Sequence, residues 1–165
     1  MSDREHQSPP ATLFRSFLLI AGAYIMQIMV VGAAALILLM IFFPGSFEIL
    51  NGEPDKFNSI FAEEPERVFP PEFLWSVLGV NCVVSFVLGF LIARFSPVAH
   101  FTHAIFFAAI LFVHFLQSAI GAGDSLQRMF VLFMGASPVA AILGANFYLQ
   151  RWGGELQQDG DDQQT

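Results

Sequence analysis

Four long apolar stretches, each with few polar residues, divide the chain. They cover about residues 13–43, 71–95, 97–120 and 125–151. Each reaches the ~20 apolar residues that cross a hydrocarbon core of ~30 Å as a helix. The first carries no charge over residues 17–43, which is longer than the apolar core of about 7–15 residues in a cleaved secretory signal. The pattern predicts an all-α integral membrane protein with four transmembrane helices.

Short breaks rich in proline and glycine separate these stretches. They occur at Pro44-Gly45, Pro70-Pro71, Ser96-Pro97 and residues 121–125. Proline suits the first turn of a helix, and Glu72 complements the positive end of the second helix. The break at Ser96-Pro97 is so short that the helices on either side must lie antiparallel and in contact. We therefore expect an antiparallel four-helix bundle over residues 13–152, with both termini on the same side.

Three segments lie outside the predicted helices. Residues 1–12 are predicted to be a flexible tail and residues 153–165 a disordered acidic tail. Residues 44–70 form a loop in which acidic residues alternate with apolar ones. Within it, Phe57, Ile60 and Phe61 have helical spacing. This loop is interpreted as a cap on the membrane surface or on the helix ends; a docking surface for a partner is the alternative.

Composition and charge narrow the class of protein. Charged residues make up 13% of the chain, against about 25% in soluble domains. The 20 phenylalanines among 165 residues suit a surface that faces lipid. The net charge of −7 argues against a nucleic-acid partner, because neutralising phosphates requires Lys and Arg. With Cys82 as its only cysteine, the chain forms no intrachain disulfide.

Polar side chains within the apolar stretches are expected to pair with one another, since a bilayer interior offers no water. Counting inward from the helix ends places them at three depths. Gln27, Ser85 and Ser137 fall near the middle, Asn81 and His114 in the outer half, and His103 and Asn146 in the inner half. Gln117 lies on the histidine side of the third helix. The sequence predicts a buried polar network of these eight residues, in which each hydrogen bond contributes ~0.6 to 2 kcal/mol.

The third helix carries His100, His103 and His114 within about 60° of one another around its axis. His103 and His114 lie ~16 Å apart along that axis, so one metal ion does not bind both. No cysteine or carboxylate nearby completes a site with His100 and His103, and the other spans have no histidine to ligate a haem. No metal or cofactor is predicted. Two interpretations stay open: hydrogen-bonded packing histidines, or a proton-sensitive or transport face.

Small residues recur at helical spacing on two helices. Gly89 and Ala93 continue the face of Asn81 and Ser85 on the second helix, and a second row lies on the fourth helix at Ala136, Ala140 and Gly144. Such rows let neighbouring backbones approach closely, so both are predicted to be helix-packing seams. Pro138 interrupts the fourth helix and predicts a kink, with a gating hinge as the alternative.

Positively charged residues favour one orientation. If the chain crosses four times, Arg4, Arg15, Arg94 and Arg151 share one side, and Lys56, Arg67 and Arg128 share the other. Three residues of the first group lie directly at helix ends. Both termini are therefore predicted to be cytoplasmic, with the acidic loop extracytoplasmic, in a plasma membrane or bacterial inner membrane.

The sequence contains no catalytic motif, so no catalytic residue is assigned and the protein is predicted not to be an enzyme. The functional hypothesis is a structural, accessory or assembly subunit of a membrane complex, in contact with the lipid bilayer and with a protein partner or another copy of itself. The alternative is a small transporter or channel that acts as an oligomer, with the histidine face of the third helix lining the path.

Overall fold

A computed structural model describes the backbone of residues 9–42, 71–96, 100–120 and 124–161, and the side chains of residues 13–42, 71–96, 101–120 and 131–152. This part of the chain forms four helices: α1 (Pro9–Phe42), α2 (Pro71–Phe95), α3 (His100–Ile120) and α4 (Asp124–Asp161). Each contains a segment long and apolar enough to cross a membrane. The described residues are thus all-helical, as the sequence predicts.

The helix ends follow the sequence signals for both ends of α2 and for the end of α3 at Ile120, whereas α1 and α4 extend beyond the predicted limits. α2 runs from Pro71 to Phe95, between the two proline breaks. α1 begins at Pro9, so residues 9–12 are helical where a flexible tail is predicted; proline is favoured in a first helical turn. α4 continues to Asp161, so helix replaces the predicted disorder over residues 153–161. Leucine, glutamate and glutamine there are good helix formers, whereas the three glycines are poor ones, and no proline stops the helix.

Several predictions concern segments that the structure leaves undescribed. The acidic loop at residues 44–70 lies outside the described residues, as do residues 1–8 and 162–165. The same is true of residues 97–99, where the third helix is predicted to begin, and of the turn at residues 121–123. The cap, docking and tail interpretations of these segments stay predictions.

The four helices differ in how extensively they pack against one another. α2 packs most extensively against α4, and α4 also packs along α3; α1 contacts α2 and, over a smaller surface, α3. Only 6% of the apolar window of α1 is buried, against 28–39% in the other three helices. Among the described residues, α1 is therefore a peripheral helix with most of its apolar surface exposed.

α2 and α4 run side by side in the same direction, because residues later in α2 contact residues later in α4. Asn81 contacts Ser137 near the middle, and Phe90 contacts Tyr148 and Trp152 towards the end of both helices. The Phe90 ring lies edge-on to both of these aromatic rings. This aromatic cluster holds the C-terminal part of α2 against the end of the apolar segment of α4.

The seam between α2 and α4 uses small residues, but only some of those predicted. Gly89, Ala93 and Gly144 are buried, whereas Ala136 and Ala140 are only half-buried. Ala141 and Ala145 are fully buried instead. The seam on α4 is thus rotated from the predicted row towards Ala141, because the face that meets α2 is the one that also carries Ser137.

Candidate functional site

The most enclosed polar side chains form a cluster between three helices at mid-span. Gln27 of α1 is 2% exposed, and Asn81 and Ser85 of α2 and Ser137 of α4 are 0% exposed. We call these four residues the central polar cluster. Asn81 and Ser85 share a face because they are four residues apart in a helix, and this face points at α1 and α4 together.

Hydrogen bonds join the cluster into one chain of contacts. Gln27 Nε2 donates to Asn81 Oδ1 at 2.5 Å and to Ser85 Oγ at 2.9 Å. Asn81 Nδ2 in turn donates to Ser137 Oγ. Asn81 is therefore the central member, since its amide links α1 to α4 through α2. In a medium of low dielectric these bonds are stronger than in water, and losing one partner is correspondingly costly.

His114 bonds to α1 rather than to Asn81, the residue predicted to share its depth. The Tyr24 hydroxyl and His114 Nδ1 share a hydrogen bond of 3.0 Å. The two rings also meet edge to face, with centroids 5.7 Å apart, and the imidazole lies edge-on to Phe115. This contact is the polar link between α1 and α3. Tyr24 is missed by the sequence analysis, although its position three residues before Gln27 places it on the same helix face.

His103 and Asn146 are not brought together as a pair. His103 Nδ1 shares a hydrogen bond of 2.9 Å with Ser96 Oγ, at the end of α2. Asn146 is exposed on α4, and Gln117 is exposed on α3. The side chain of His100 lies outside the described residues. The predicted network of eight residues therefore divides into the central polar cluster, two separate histidine contacts, and two amides on the outer surface.

The last predicted site feature is Pro138, which is half-buried next to Ser137. α4 continues through it without interruption. The neighbouring hydroxyl is engaged by Asn81, which ties this part of α4 to α2. The gating hinge stays a prediction.

The chemistry available to the central polar cluster follows from its residue types. Amides and hydroxyls donate and accept hydrogen bonds but do not titrate near neutral pH. The cluster can therefore hold helices in register or bind a small neutral polar molecule. In the described part of the chain, no three His, Cys, Asp or Glu residues are grouped so that they could hold a metal ion.

Comparisons with protein-family models, with curated proteins and with solved structures give no match for this chain.

Proposed function

We propose that this chain is a non-enzymatic structural, accessory or assembly subunit of a membrane complex. The observation that carries the proposal is the position of Asn146. It is exposed on α4 within the apolar segment Val131–Trp152, about 9 Å from Trp152 at 1.5 Å per residue. An amide at that depth faces lipid unless another helix covers it.

Contact with a second helix would stabilise the Asn146 amide. A polar group in hydrocarbon without a partner is unfavourable, and an interhelical hydrogen bond in a membrane contributes about 0.6 to 2 kcal/mol. Within the described chain, no residue hydrogen-bonds the Asn146 side chain. A polar group supplied by a partner protein would satisfy it. The uncovered apolar surface of α1 offers a second area for such a partner.

The proposed membrane topology is an antiparallel bundle with both termini cytoplasmic, in a plasma membrane or bacterial inner membrane. Two contact patterns support the helix directions. Gln27 meets Asn81 while Phe42 meets Phe73, so α1 and α2 run in opposite directions. α2 and α4 run in the same direction, which requires α3 to cross back between them. The side assignment is supported by Arg15, Arg94 and Arg151, which lie near the ends of the apolar segments.

The transporter alternative depends on a histidine face that lines a path. His103 and His114 each hydrogen-bond within the chain, to Ser96 and Tyr24. Both histidines thus make the hydrogen bonds expected of residues that hold helices together. The subunit proposal is therefore preferred, and self-assembly into a defined homo-oligomer would favour the alternative.

Site-specific photocrosslinking tests the subunit proposal. A photoreactive residue at Leu143, which is 54% exposed on α4 and about one turn from Asn146, leaves the amide in place and should give an adduct with a different membrane protein in the native membrane. An unlabelled Asn146→Leu chain should compete poorly for that partner. A photoreactive residue at Val83, which is 64% exposed on α2, is the matched control and should give mainly lipid adducts. Adducts only with a second copy would favour the transporter alternative. The absence of a protein adduct at position 143 would contradict the proposal.

A further inference from the structure

The central polar cluster contains one polar atom that its own hydrogen bonds do not satisfy. Gln27 Oε1 is buried and has no hydrogen-bond partner among the described residues. The Nε2 atom of the same amide has two partners. A buried acceptor without a partner costs about 1–3 kcal/mol, so a group that donates to this oxygen would stabilise the cluster.

Exchanging the oxygen and nitrogen of the amides does not remove the unsatisfied group. If the amides of Gln27 and Asn81 were both reversed, the Ser85 hydroxyl and the Asn81 amide would donate to Gln27 oxygen, and the Ser137 hydroxyl would donate to Asn81 oxygen. The Gln27 nitrogen would then be the buried atom without a partner. A group that pairs with this position must therefore be able to donate or to accept a hydrogen bond.

Ser85 supplies the second anchor. Its oxygen accepts from Gln27 Nε2 at 2.9 Å, and its own hydroxyl proton stays available for donation. The two atoms Oε1 and Nε2 are bonded to one carbon and lie within ~2.6 Å of each other. Oε1 is therefore within ~5.5 Å of Ser85 Oγ, a separation that one water molecule bridges with two hydrogen bonds of ~2.8 Å.

We infer that the central polar cluster binds a single internal water molecule, which accepts a hydrogen bond from the Ser85 hydroxyl and donates one to Gln27 Oε1. Water is both donor and acceptor, and so fits either amide orientation. Buried waters typically bond to polar groups that the protein leaves unpaired. This site lies between α1 and α2 at mid-span and does not depend on the proposed subunit function.

Proton-detected solid-state NMR tests the inference on the full chain, deuterated and reconstituted in phosphatidylcholine vesicles. Magnetisation should pass from water to the Gln27 side-chain amide at short mixing times. The amide of Asn146, facing lipid in this preparation, should show severalfold less transfer. The absence of transfer to Gln27 would overturn the site, and equal transfer at Gln27, Tyr24 and Ser137 would indicate an aqueous path in place of one bound water.

Two matched serine variants locate the water within the cluster. Ser85→Ala removes one of its two anchors and should reduce the transfer to Gln27 severalfold. Ser137→Ala breaks only the bond from Asn81 and should leave the transfer close to that of the parent. If both variants reduced the transfer to Gln27 equally, Ser85 would not be a ligand of the water. If a variant fails to fold, the measurement on the parent chain decides the presence of the water by itself.

Discussion

Gly89 of α2 and Ala141 of α4 meet backbone to backbone. A Cβ atom on Gly89 would overlap the carbonyl oxygen of Ala141, which is part of a helix and does not move aside. The contact is reciprocal, since a Cβ on Gly144 of α4 would overlap the carbonyl oxygen of Phe86 on α2. Each helix therefore has one glycine at which the backbone of the other helix approaches closely. The packing of α2 against α4, the most extensive between any two of the helices, depends on these two glycines.

The first prediction is that Gly89→Ala destabilises the protein, although alanine is the better helix former. Overpacking a close contact costs about 1–3 kcal/mol, while the gain in helix propensity is only about 0.5–1 kcal/mol. Unfolding in detergent, followed by helical circular dichroism, should show a lower midpoint for this variant.

Gly79→Ala is the matched control on the same helix. A Cβ at Gly79 meets nothing within 4 Å, so this variant should equal or slightly exceed the parent in stability. Gly144→Ala and Gly135→Ala form the corresponding pair on α4, with open space only at Gly135. Similar midpoints for Gly89→Ala and Gly79→Ala would show that α2 and α4 do not approach as closely as described.

The second prediction concerns Asn81, whose amide joins α1 and α4. Asn81→Leu should destabilise the protein by about 1–3 kcal/mol, because it removes one of the two hydrogen bonds of the Gln27 amide and the bond that Ser137 Oγ accepts. The measurement is again the detergent unfolding midpoint. Val83→Leu on the exposed side of α2 is the control and should stay within about 0.5 kcal/mol of the parent. Equal stability of the two variants would show that the central polar cluster does not stabilise the protein.

The third prediction is that Tyr24 and His114 are energetically coupled. Tyr24→Phe keeps the ring contact but removes the hydroxyl, and should cost about 1 kcal/mol. In a double-mutant cycle, Tyr24→Phe combined with His114→Leu should cost less than the sum of the single changes, since both remove the same bond. Tyr24→Phe combined with Ser137→Ala should be additive. Additivity in both cycles would mean that the α1–α3 link contributes nothing measurable.

Sequence reasoning succeeded for features that depend only on the position of a residue along the helix axis. Proline positions and apolar length located the four helices, with the limits of α2 at Pro71 and Phe95. Depth counting placed Gln27, Ser85 and Ser137 at one level, and the structure joins all three through Asn81 or Gln27. These inferences need only the rise per residue along a helix.

The remaining contacts depend on how each helix is rotated about its axis, which apolar periodicity leaves undetermined when all faces are apolar. Asn146 shares a depth with His103 yet lies on the outer side of α4. Ala141 rather than Ala140 enters the seam, one residue and about 100° away. Tyr24 bonds to His114 because it lies on the side of α1 that faces α3, and Ser96 bonds to His103 from its buried position directly after α2.

The fourth prediction tests the topology. On a Cys82→Ser background, cysteines at positions 58 and 123 should react with a membrane-impermeant maleimide from outside the cell. Cysteines at positions 6 and 158 should react only after permeabilisation, because both termini are proposed to be cytoplasmic. The parent Cys82→Ser chain is the unlabelled control. The reverse pattern would invert the orientation, and labelling of the termini on opposite sides would exclude four crossings.

The most direct test of the proposed function is native mass spectrometry of the tagged chain, released from the membranes in which it is naturally expressed. We expect a defined assembly that contains at least one other membrane protein. Asn146→Leu should reduce this assembly, while a Val83→Leu control should retain it. The mass of a single chain alone, unchanged by Asn146→Leu, would contradict the account.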